Sequence, residues 1–226
     1  VLGTFACLGC GARYEDRWDY CTSCGGYRLV VAVPTRPADA LWRAAPEVAT
    51  ASQMVKRSAE SLASKSYPSL LFGSRSLCAI YGQPGSGKTT FMLKLLDGFF
   101  GETLLLSLEE GLSDTIVSKL KWLEIMNDEL HVAYVRDTAE LDALLGSRRF
   151  SALAIDSLSA STLKIDDLKR ITVELSIPVF FSLHIRKDGL PGGTMDALHG
   201  ADVVIAVDSK KWAVEKSRFG QNAGGA

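Results

Sequence analysis

The stretch Gly82-Gln83-Pro84-Gly85-Ser86-Gly87-Lys88-Thr89 decides the fold of this chain. It matches the pattern G-x-x-x-x-G-K-[ST], in which the backbone N–H groups of a glycine-rich loop surround phosphate oxygens. The apolar run Leu77–Tyr81 before it predicts a buried strand, and Thr90–Leu96 after it predicts a helix with an apolar face. A glycine-rich turn could match by chance, but the strand and the helix on either side favour a phosphate-binding loop.

Two side chains of this loop predict how a nucleoside triphosphate would be bound. Lys88 is expected to reach the β- and γ-phosphates, and the Thr89 hydroxyl is expected to bind Mg²⁺. The start of the following helix adds partial positive charge. The predicted nucleotide-binding residues are Gly82, Gln83, Pro84, Gly85, Ser86, Gly87, Lys88, Thr89 and Thr90, with Asp156 and His184 further along the chain.

Length and composition indicate one ordinary globular domain with a small appendage. The chain has 226 residues, of which 47% are hydrophobic and 23% charged, and its net charge is −1. This net charge argues against a protein whose whole surface binds nucleic acid, but it is compatible with a local basic patch. No apolar run approaches the roughly 20 residues that span a bilayer. The first residues lack the layout of a signal peptide, so we expect a cytoplasmic location and no membrane partner.

Four of the five cysteines cluster near the start of the chain, as Cys7-x2-Cys10 and Cys21-x2-Cys24. Two such pairs at this spacing favour a structural Zn²⁺ site with four thiolate ligands. A disulfide pair or an iron–sulfur cluster is the alternative. Cys78 lies alone in the strand before the phosphate-binding loop and is interpreted as core packing.

The rest of the chain predicts an α/β fold. Residues 1–30 are interpreted as a zinc ribbon, 31–66 as a linker with a helix over Ser52–Ala63, and 67–226 as the main domain. Near-continuous apolar strands alternate with helices, which predicts a mostly parallel sheet covered on both faces, with ligands at the carboxyl ends of its strands. Further strands are predicted at Thr103–Ser107, Leu130–Val135, Ser151–Asp156, Pro178–His184, Ala201–Val207 and Lys211–Glu215, and helices at Ser113–Leu123, Ala139–Leu145 and Ile165–Leu175.

Carboxylates follow two of these strands. Asp156 ends an apolar strand, where a carboxylate can hold Mg²⁺ beside the loop hydroxyl, although it could also only cap the next turn. Glu109 and Glu110 follow Thr103–Ser107, and one of them could orient the water that attacks the γ-phosphate. We favour Glu109 as the catalytic residue. The alternative for both is an acidic start of the next helix.

His184 ends a strand and could sense the γ-phosphate, or it could simply cap the strand. The loop after it, 185–194, begins with basic residues and could meet a phosphodiester backbone, or it could be an ordinary solvated loop. Near the end of the chain, Lys216 and Arg218 are spaced to point to one side of a strand. In an oligomer they could reach a neighbour's nucleotide as an arginine finger does, or they could be an ordinary surface pair.

Together these motifs resemble the RadA/Sms family of bacterial recombination ATPases. The chain carries them in the family's order, and Lys216-Ser217-Arg218-Phe219-Gly220 is similar to the family signature K-N-R-F-G. The other matching residues are Cys7, Cys10, Cys21 and Cys24, the loop 82–89, Ser107-Leu108-Glu109-Glu110, Asp156-Ser157, and His184 with Lys187-Asp188-Gly189.

The resemblance implies a RecA-like core, ATP hydrolysis, ring-shaped homo-oligomers (six subunits being one option), and binding of single-stranded DNA during branch migration or repair. It implies that Lys216 and Arg218 act on the adjacent subunit's nucleotide, and it leaves room for other recombination proteins as partners. The family continues into a domain similar to the Lon protease fold, and this chain stops six residues after Gly220, so we expect a short form. The segment 157–177 is also shorter than the family pattern.

Two functional hypotheses follow from these observations. The first is a DNA-dependent ATPase that remodels single-stranded DNA as an oligomer. The second is an adaptor that binds ATP in order to assemble and recruits partners through its ribbon, with little hydrolysis. Glu109 or Glu110 together with Lys216 and Arg218 favours the first, because only a hydrolysing protein requires them. The expected cofactors are ATP, Mg²⁺ and Zn²⁺.

Overall fold

The structure, a computed structural model, describes residues 4–7, 13–14, 30–33, 50, 61–185, 195–209 and 211–225. The chain divides into two compact units, Val1–Arg57 and Ser58–Ala226. The first unit contains an antiparallel sheet in the order β2-β1-β3. Its strands are β1 (Thr4–Cys7), β2 (Arg13–Tyr14) and β3 (Val30–Val33).

The predicted zinc ligands lie almost wholly outside the described residues. The backbone of Cys7 ends β1, but its side chain and all of Cys10, Cys21 and Cys24 lie outside them. The zinc site therefore stays a prediction. β3 reaches Val33, so the first three residues of the predicted linker pair with β1 instead. The boundary between the units falls inside the segment 31–66.

The second unit is built on an eight-stranded sheet in the order β13-β12-β11-β6-β10-β9-β7-β8. The strands from β11 to β8 in that order are parallel, whereas β12 and β13 are antiparallel to their neighbours. These strands are β6 (Leu77–Gly82), β7 (Thr103–Ser107), β8 (Leu130–Ala133), β9 (Ala152–Asp156), β10 (Val179–His184), β11 (Val203–Asp208), β12 (Lys211–Ser217) and β13 (Gly224–Gly225).

Helices cover both faces of this sheet. They are α1 (Lys88–Asp97), α2 (Asp114–Trp122), α3 (Thr138–Ser147), α4 (Ile165–Leu175) and α5 (Met195–Gly200), with a 3₁₀ turn at Leu158–Ala160. Alternate residues of β6 enter two different core clusters. Cys78 and Ile80 pack with α1, whereas Leu77 and Ala79 pack with α3 and α4. The predicted α/β fold with a mostly parallel, two-sided sheet is confirmed.

A hairpin before the sheet corrects the predicted helix Ser52–Ala63 at its end. Ser61–Ser64 is a strand, β4, and it pairs with β5 (Tyr67–Gly73). Leu70 and Phe72 of β5 are fully buried in the cluster that contains α1. Packing against α1 therefore fixes this segment as a hairpin, whatever its local helical pattern.

Besides the hairpin, three short elements of the second unit were not predicted: the 3₁₀ turn, α5 and β13. β13 lies in the glycine tail, where Gly224 and Gly225 pair with Ala213 and Trp212 of β12. None of the helices in the described ranges is long and apolar enough to cross a membrane.

Candidate nucleotide-binding site

The loop 82–89 joins β6 to α1 in an open conformation. A Cβ at Gly82 would lie 2.1 Å from the Val207 carbonyl oxygen and 2.5 Å from Ser86 Oγ, so only glycine fits there. Gly85 and Gly87 have φ of 77° and 94°, in the left-handed region that favours glycine. A Cβ on either would meet nothing within 4 Å, so the loop borders open space in which a phosphate could lie.

Lys88 is the first residue of α1, and its side chain folds back over the loop. Its Nζ donates to the carbonyl oxygens of Gly82 and Gln83, at 3.0 Å each. Lys88 is only 5% exposed. Burial lowers the pKa of its ammonium group, while the nearby carboxylates of Asp156 and Glu109 act in the opposite direction. Lys88 is therefore close enough to both carboxylates for their charges to act on its ammonium group.

Asp156 lies beside the loop threonine. Thr89 Oγ1 donates to Asp156 Oδ2 at 2.5 Å, and Ser182 Oγ on β10 donates to Asp156 Oδ1 at 2.6 Å. Ser107 is the register partner of Asp156 on β7, and its buried hydroxyl has no hydrogen-bond partner among the described residues. A carboxylate, a threonine hydroxyl and an unpartnered hydroxyl are oxygen donors of the kind Mg²⁺ prefers, so these residues fit a hydrated magnesium ion.

The two glutamates after β7 have different partners. Glu109 Oε2 lies 3.0 Å from His184 Nε2 at the end of β10. Glu110 instead forms a salt bridge with Lys119 on α2. Burial alone would raise the pKa of Glu110, but hydrogen bonds from Lys119 and Thr115 outweigh it and hold the pKa below its ordinary value. Glu109 is therefore the glutamate that bonds a residue of β10, the strand next to the one that ends in the loop.

The carboxyl edge of the parallel strands brings most of the predicted site together. The backbone N–H groups of Leu108 and Glu109 donate to the Asp156 carbonyl oxygen, at 2.7 and 3.1 Å. This links the end of β7 to the end of β9. His184 lies in register with Gly82, where the loop begins. Adjacent parallel strands thus place the lysine, threonine, aspartate, glutamate and histidine at one edge.

Lys216 and Arg218 do not lie at that edge. β12 is antiparallel, and Ser217 at its end pairs with Val203 at the start of β11. Val203 in turn pairs with Cys78, near the start of β6. The two cations are therefore at the opposite edge of the sheet from the loop of their own chain.

Both cations have partners within the chain. Lys216 Nζ donates to the carbonyl oxygens that end α5 and follow it, those of Leu198, His199 and Ala201, at 2.8–3.1 Å. Burial and the neighbouring Arg218 lower the pKa of Lys216. Arg218 forms a 3.0 Å salt bridge with Asp202. In this conformation neither cation reaches the loop 82–89 of the same chain.

Of the predicted DNA-binding loop 185–194, Ile185 is described and its N–H donates to the Gly82 carbonyl oxygen, while 186–194 lie outside the described residues. The sequence reasoning missed Ser182, and it included Ser107 in the family motif without giving it a role. The available signal was a serine within, or at the end of, an otherwise apolar buried strand next to the one that carries Asp156.

A phosphate-binding loop at the carboxyl edge of a mostly parallel sheet, with an aspartate of a nearby strand bonded to its threonine, defines a P-loop nucleotide-binding protein with a RecA-like core. The model of the AAA domain family matches residues 75–216, and the chain belongs to that family. Among solved structures, an ATPase domain has the same fold, with a TM-score of 0.51, 16% identity, and coverage of 68% of this chain and 81% of that domain.

Two curated relatives match nearly the whole chain. The DNA repair protein RadA of Bacillus subtilis (strain 168) is 24% identical and covers 96% of this chain, which corresponds to 55% of that protein. The DNA repair protein RadA of Treponema pallidum (strain Nichols) is 24% identical, with coverage of 96% and 54%. The chain thus spans about half the length of these relatives. The predicted resemblance, a RadA-like P-loop ATPase, is confirmed.

Proposed function

We propose that this protein hydrolyses ATP with Mg²⁺ in DNA repair or recombination, and that it binds single-stranded DNA as a homo-oligomer. One observation carries the ATPase part: Lys88, Thr89, Asp156, Glu109 and His184 meet at one edge of the sheet. The DNA part is supported by the likeness over 96% of the chain to proteins named for DNA repair.

The loop would bind the triphosphate through its backbone N–H groups and the start of α1. Lys88 already lies over the loop through its bonds to Gly82 and Gln83, so its charge is positioned before the nucleotide arrives. Thr89 and Asp156 would hold Mg²⁺, directly or through water. When bound, Mg²⁺ neutralises charge on the phosphate oxygens.

Glu109 would act as the general base. Its carboxylate would accept a proton from the water that attacks the γ-phosphate, a role that requires a free oxygen near that phosphate. His184 holds Glu109 by one oxygen, which orients the carboxylate and leaves the other oxygen for the water. His184 would in this way link the γ-phosphate to the loop 186–194, which we propose contacts the DNA backbone.

Lys216 and Arg218 would complete the site of an adjacent subunit. Their place at the far edge of the sheet supports this, because a head-to-tail contact between copies brings unlike edges together. Arg218 is accessible, with 59% of its side chain exposed. Lys216 would first have to leave the carbonyl oxygens at α5.

The first experiment is an ATPase assay on the full chain with and without single-stranded DNA. We expect Mg²⁺-dependent hydrolysis that DNA stimulates several-fold, and loss of hydrolysis in Lys88→Ala. The matched control is Lys169→Ala, which removes an exposed lysine of α4 that is not part of the predicted site. ATP binding without hydrolysis, and no response to DNA, would instead support an adaptor that only assembles on ATP.

We also propose that Cys7, Cys10, Cys21 and Cys24 bind one structural Zn²⁺, as their spacing predicts. Elemental analysis of the purified protein should give about one zinc per chain, consistent with a single four-thiolate site. A protein that folds with no zinc, or with iron and acid-labile sulfide, would contradict the assignment. Cys10→Ser should lower the zinc content, whereas Cys78→Ser should leave it unchanged.

A further inference from the structure

The segment that carries Arg218 leaves β12 and turns back toward β13, and we call residues 217–221 the arginine turn. Its first residue, Ser217, accepts a hydrogen bond at Oγ from the Phe219 N–H, at 3.1 Å. Asparagine, which the family signature has at this position, can form the same kind of local bond. Gly220 has a φ of 70°, in the left-handed region that favours glycine. The serine and the glycine therefore give the arginine turn a defined shape.

The last residue of the arginine turn is bonded to the hairpin β4–β5 by both ends of its side-chain amide. Gln221 Oε1 accepts from the Leu71 N–H at 2.6 Å, and Gln221 Nε2 donates to the Leu71 carbonyl oxygen at 2.8 Å. Because both backbone groups of Leu71 bond Gln221, they point away from β4, along the free edge of β5. The amide therefore pairs with this edge as a residue of a further strand would.

The ring of Phe219 makes a second contact with the same strand. A Cβ on Gly73 would lie 3.1 Å from Phe219 Cζ, so the ring lies directly against this glycine. Gly73 is two residues after Leu71, which makes the two contacts neighbours on β5. The arginine turn is thus attached to the hairpin by one pair of hydrogen bonds and one ring contact.

The hairpin is a firm support because it is itself fixed to α1. Leu70 and Phe72 of β5 are 0% and 1% exposed, in the core cluster that contains α1. The Lys65 N–H, between the two strands, donates to the carbonyl oxygen of Gly98 at the end of α1, at 2.8 Å. Through the hairpin, the arginine turn is therefore connected to the helix that begins at the phosphate-binding loop.

The backbone and the side chain of Arg218 are held to different degrees. Its backbone N–H donates to the Asp202 carbonyl oxygen at 2.9 Å. Its guanidinium group pairs with the Asp202 carboxylate, but 59% of the side chain is exposed, and such a pair contributes little. The side chain can therefore leave Asp202 while the backbone stays bonded at Arg218 and at Gln221.

We propose that Gln221 is a positioning residue for Arg218, because it fixes the arginine turn on the edge of β5 from which the guanidinium group reaches an adjacent subunit's nucleotide. This inference rests on the proposed function, since it needs Arg218 to act across a subunit contact. It goes beyond that function by giving a role to a residue outside the signature 216–220. Without its bonds to Leu71, the turn would have to be ordered during the reaction, which lowers the rate.

The test is Gln221→Ala, which removes both bonds to Leu71. The matched control is Asn222→Ala, which removes the exposed amide of the next residue. Two hydrogen bonds favour the attached turn by about tenfold, so Gln221→Ala should lower kcat about tenfold, whereas Asn222→Ala should keep the wild-type kcat. The KM for ATP and the size of the oligomer should not change, because the loop 82–89 is at the other edge of the sheet.

Mixed oligomers give a readout that a general loss of stability would not move. In an equimolar mixture of Gln221→Ala with Glu109→Ala, random exchange of subunits should raise the rate from about a twentieth to about a quarter of wild type, because intact turns then face intact bases. In a mixture with Arg218→Ala, whose defect lies on the same side of the contact, exchange should leave the rate at about a twentieth. A folding defect would respond in the same way to both partners.

The outcomes separate this inference from the proposed function. Wild-type kcat in Gln221→Ala, with Arg218→Ala inactive, would overturn the positioning role and leave the proposed function standing. The same response to both partners in mixed oligomers would also overturn the positioning role. Wild-type activity of Arg218→Ala would instead overturn the proposed use of Arg218 by a neighbour, and no Mg²⁺-dependent hydrolysis by the wild type would overturn the proposed ATPase.

Discussion

Asp156 is 4% exposed, and a buried carboxylate needs hydrogen bonds to both of its oxygens. Thr89 and Ser182 supply one bond each. Because Thr89 would turn toward Mg²⁺ when the nucleotide binds, Ser182 is the donor that keeps Asp156 in place throughout. Ser182 is thus a positioning residue, one strand away from the carboxylate that it orients.

Ser182→Ala should therefore raise the Mg²⁺ concentration needed for half-maximal ATPase activity. The loss of one hydrogen bond to a buried charged group should also lower the free energy of unfolding by about 2 kcal/mol. Magnesium titration of the ATPase rate and urea denaturation measure the two effects. The control is Ser64→Ala, which also removes one hydrogen bond of a buried serine, to the Leu95 carbonyl oxygen, but at the end of α1 far from the magnesium site. Equal magnesium dependence in all three proteins would contradict the positioning role.

Glu109→Gln and Glu110→Gln form a matched pair at adjacent positions. Because Glu109 bonds His184 and Glu110 bonds Lys119 on α2, only the first substitution should affect the chemical step. We expect Glu109→Gln to lower kcat at least about 100-fold with ATP still bound, as removal of a general base does. Glu110→Gln should instead lower stability slightly and leave kcat within about twofold, since a partly exposed ion pair contributes little. The reverse pattern would assign the role to Glu110.

At the scale of elements, the sequence predicted those whose signal is local. The loop 82–89, β6 before it and α1 after it follow from glycine spacing and apolar periodicity, and Ile165–Leu175 was predicted with the bounds that the structure has. The hairpin β4–β5 was not, because Ser61–Ala63 continues a helical pattern. Its structure depends on contacts with a distant element, such as the 2.8 Å bond from Ser64 Oγ to the Leu95 carbonyl oxygen.

Tyr67, in β5 of the hairpin, makes the free energy of unfolding depend on pH in the alkaline range. Burial raises the pKa of Tyr67 to about 12, from an ordinary value of 10.0. The unfolded chain therefore loses this proton first, so the stabilisation is complete below pH 10 and is lost as pH rises through 12. At pH 11 the effect is on the order of 1 kcal/mol.

Tyr67→Phe removes this titration and should flatten the pH dependence. Urea denaturation at pH 8 and pH 11 should show a smaller fall in the free energy of unfolding for Tyr67→Phe than for the wild type. The comparison is between the two proteins, because other groups also titrate in this range. Identical falls in both would mean that the phenol is as exposed to solvent in the folded state as in the unfolded one.

At the scale of the whole molecule, the strands on which the site residues lie could be read from sequence, but the edge to which each strand brings them could not. Asp156, Glu109 and His184 end parallel strands, so they meet at the loop as expected. Lys216 lies near the end of β12 and Arg218 directly follows it, and the antiparallel direction of β12 follows from its pairing with β11. Nothing in an apolar run of residues specifies that direction. The cations are consequently at the other edge of the sheet, away from the loop of their own chain.

This placement makes a prediction about mixed oligomers. Arg218→Ala alone should lower the ATPase rate at least about 100-fold, as loss of an arginine finger does. Its loss should cost little stability, because Arg218 is 59% exposed in its pair with Asp202. Glu109→Ala alone should also be inactive, but for a different reason. Every nucleotide site in its oligomers lacks the glutamate that acts as the general base. Arg136→Ala, which removes an exposed arginine paired with Glu140, is the control and should keep wild-type activity.

Mixing the two inactive variants tests whether one site is built from two subunits. In a random equimolar oligomer, about one contact in four joins an intact Glu109 to an intact Arg218, so about a quarter of the wild-type rate should return. Mixing must be done under conditions that let subunits exchange, and native mass spectrometry confirms that mixed species form. If mixed oligomers form and stay inactive, Arg218 does not act on a neighbour's nucleotide. Its pairing with Asp202 would then be its whole role.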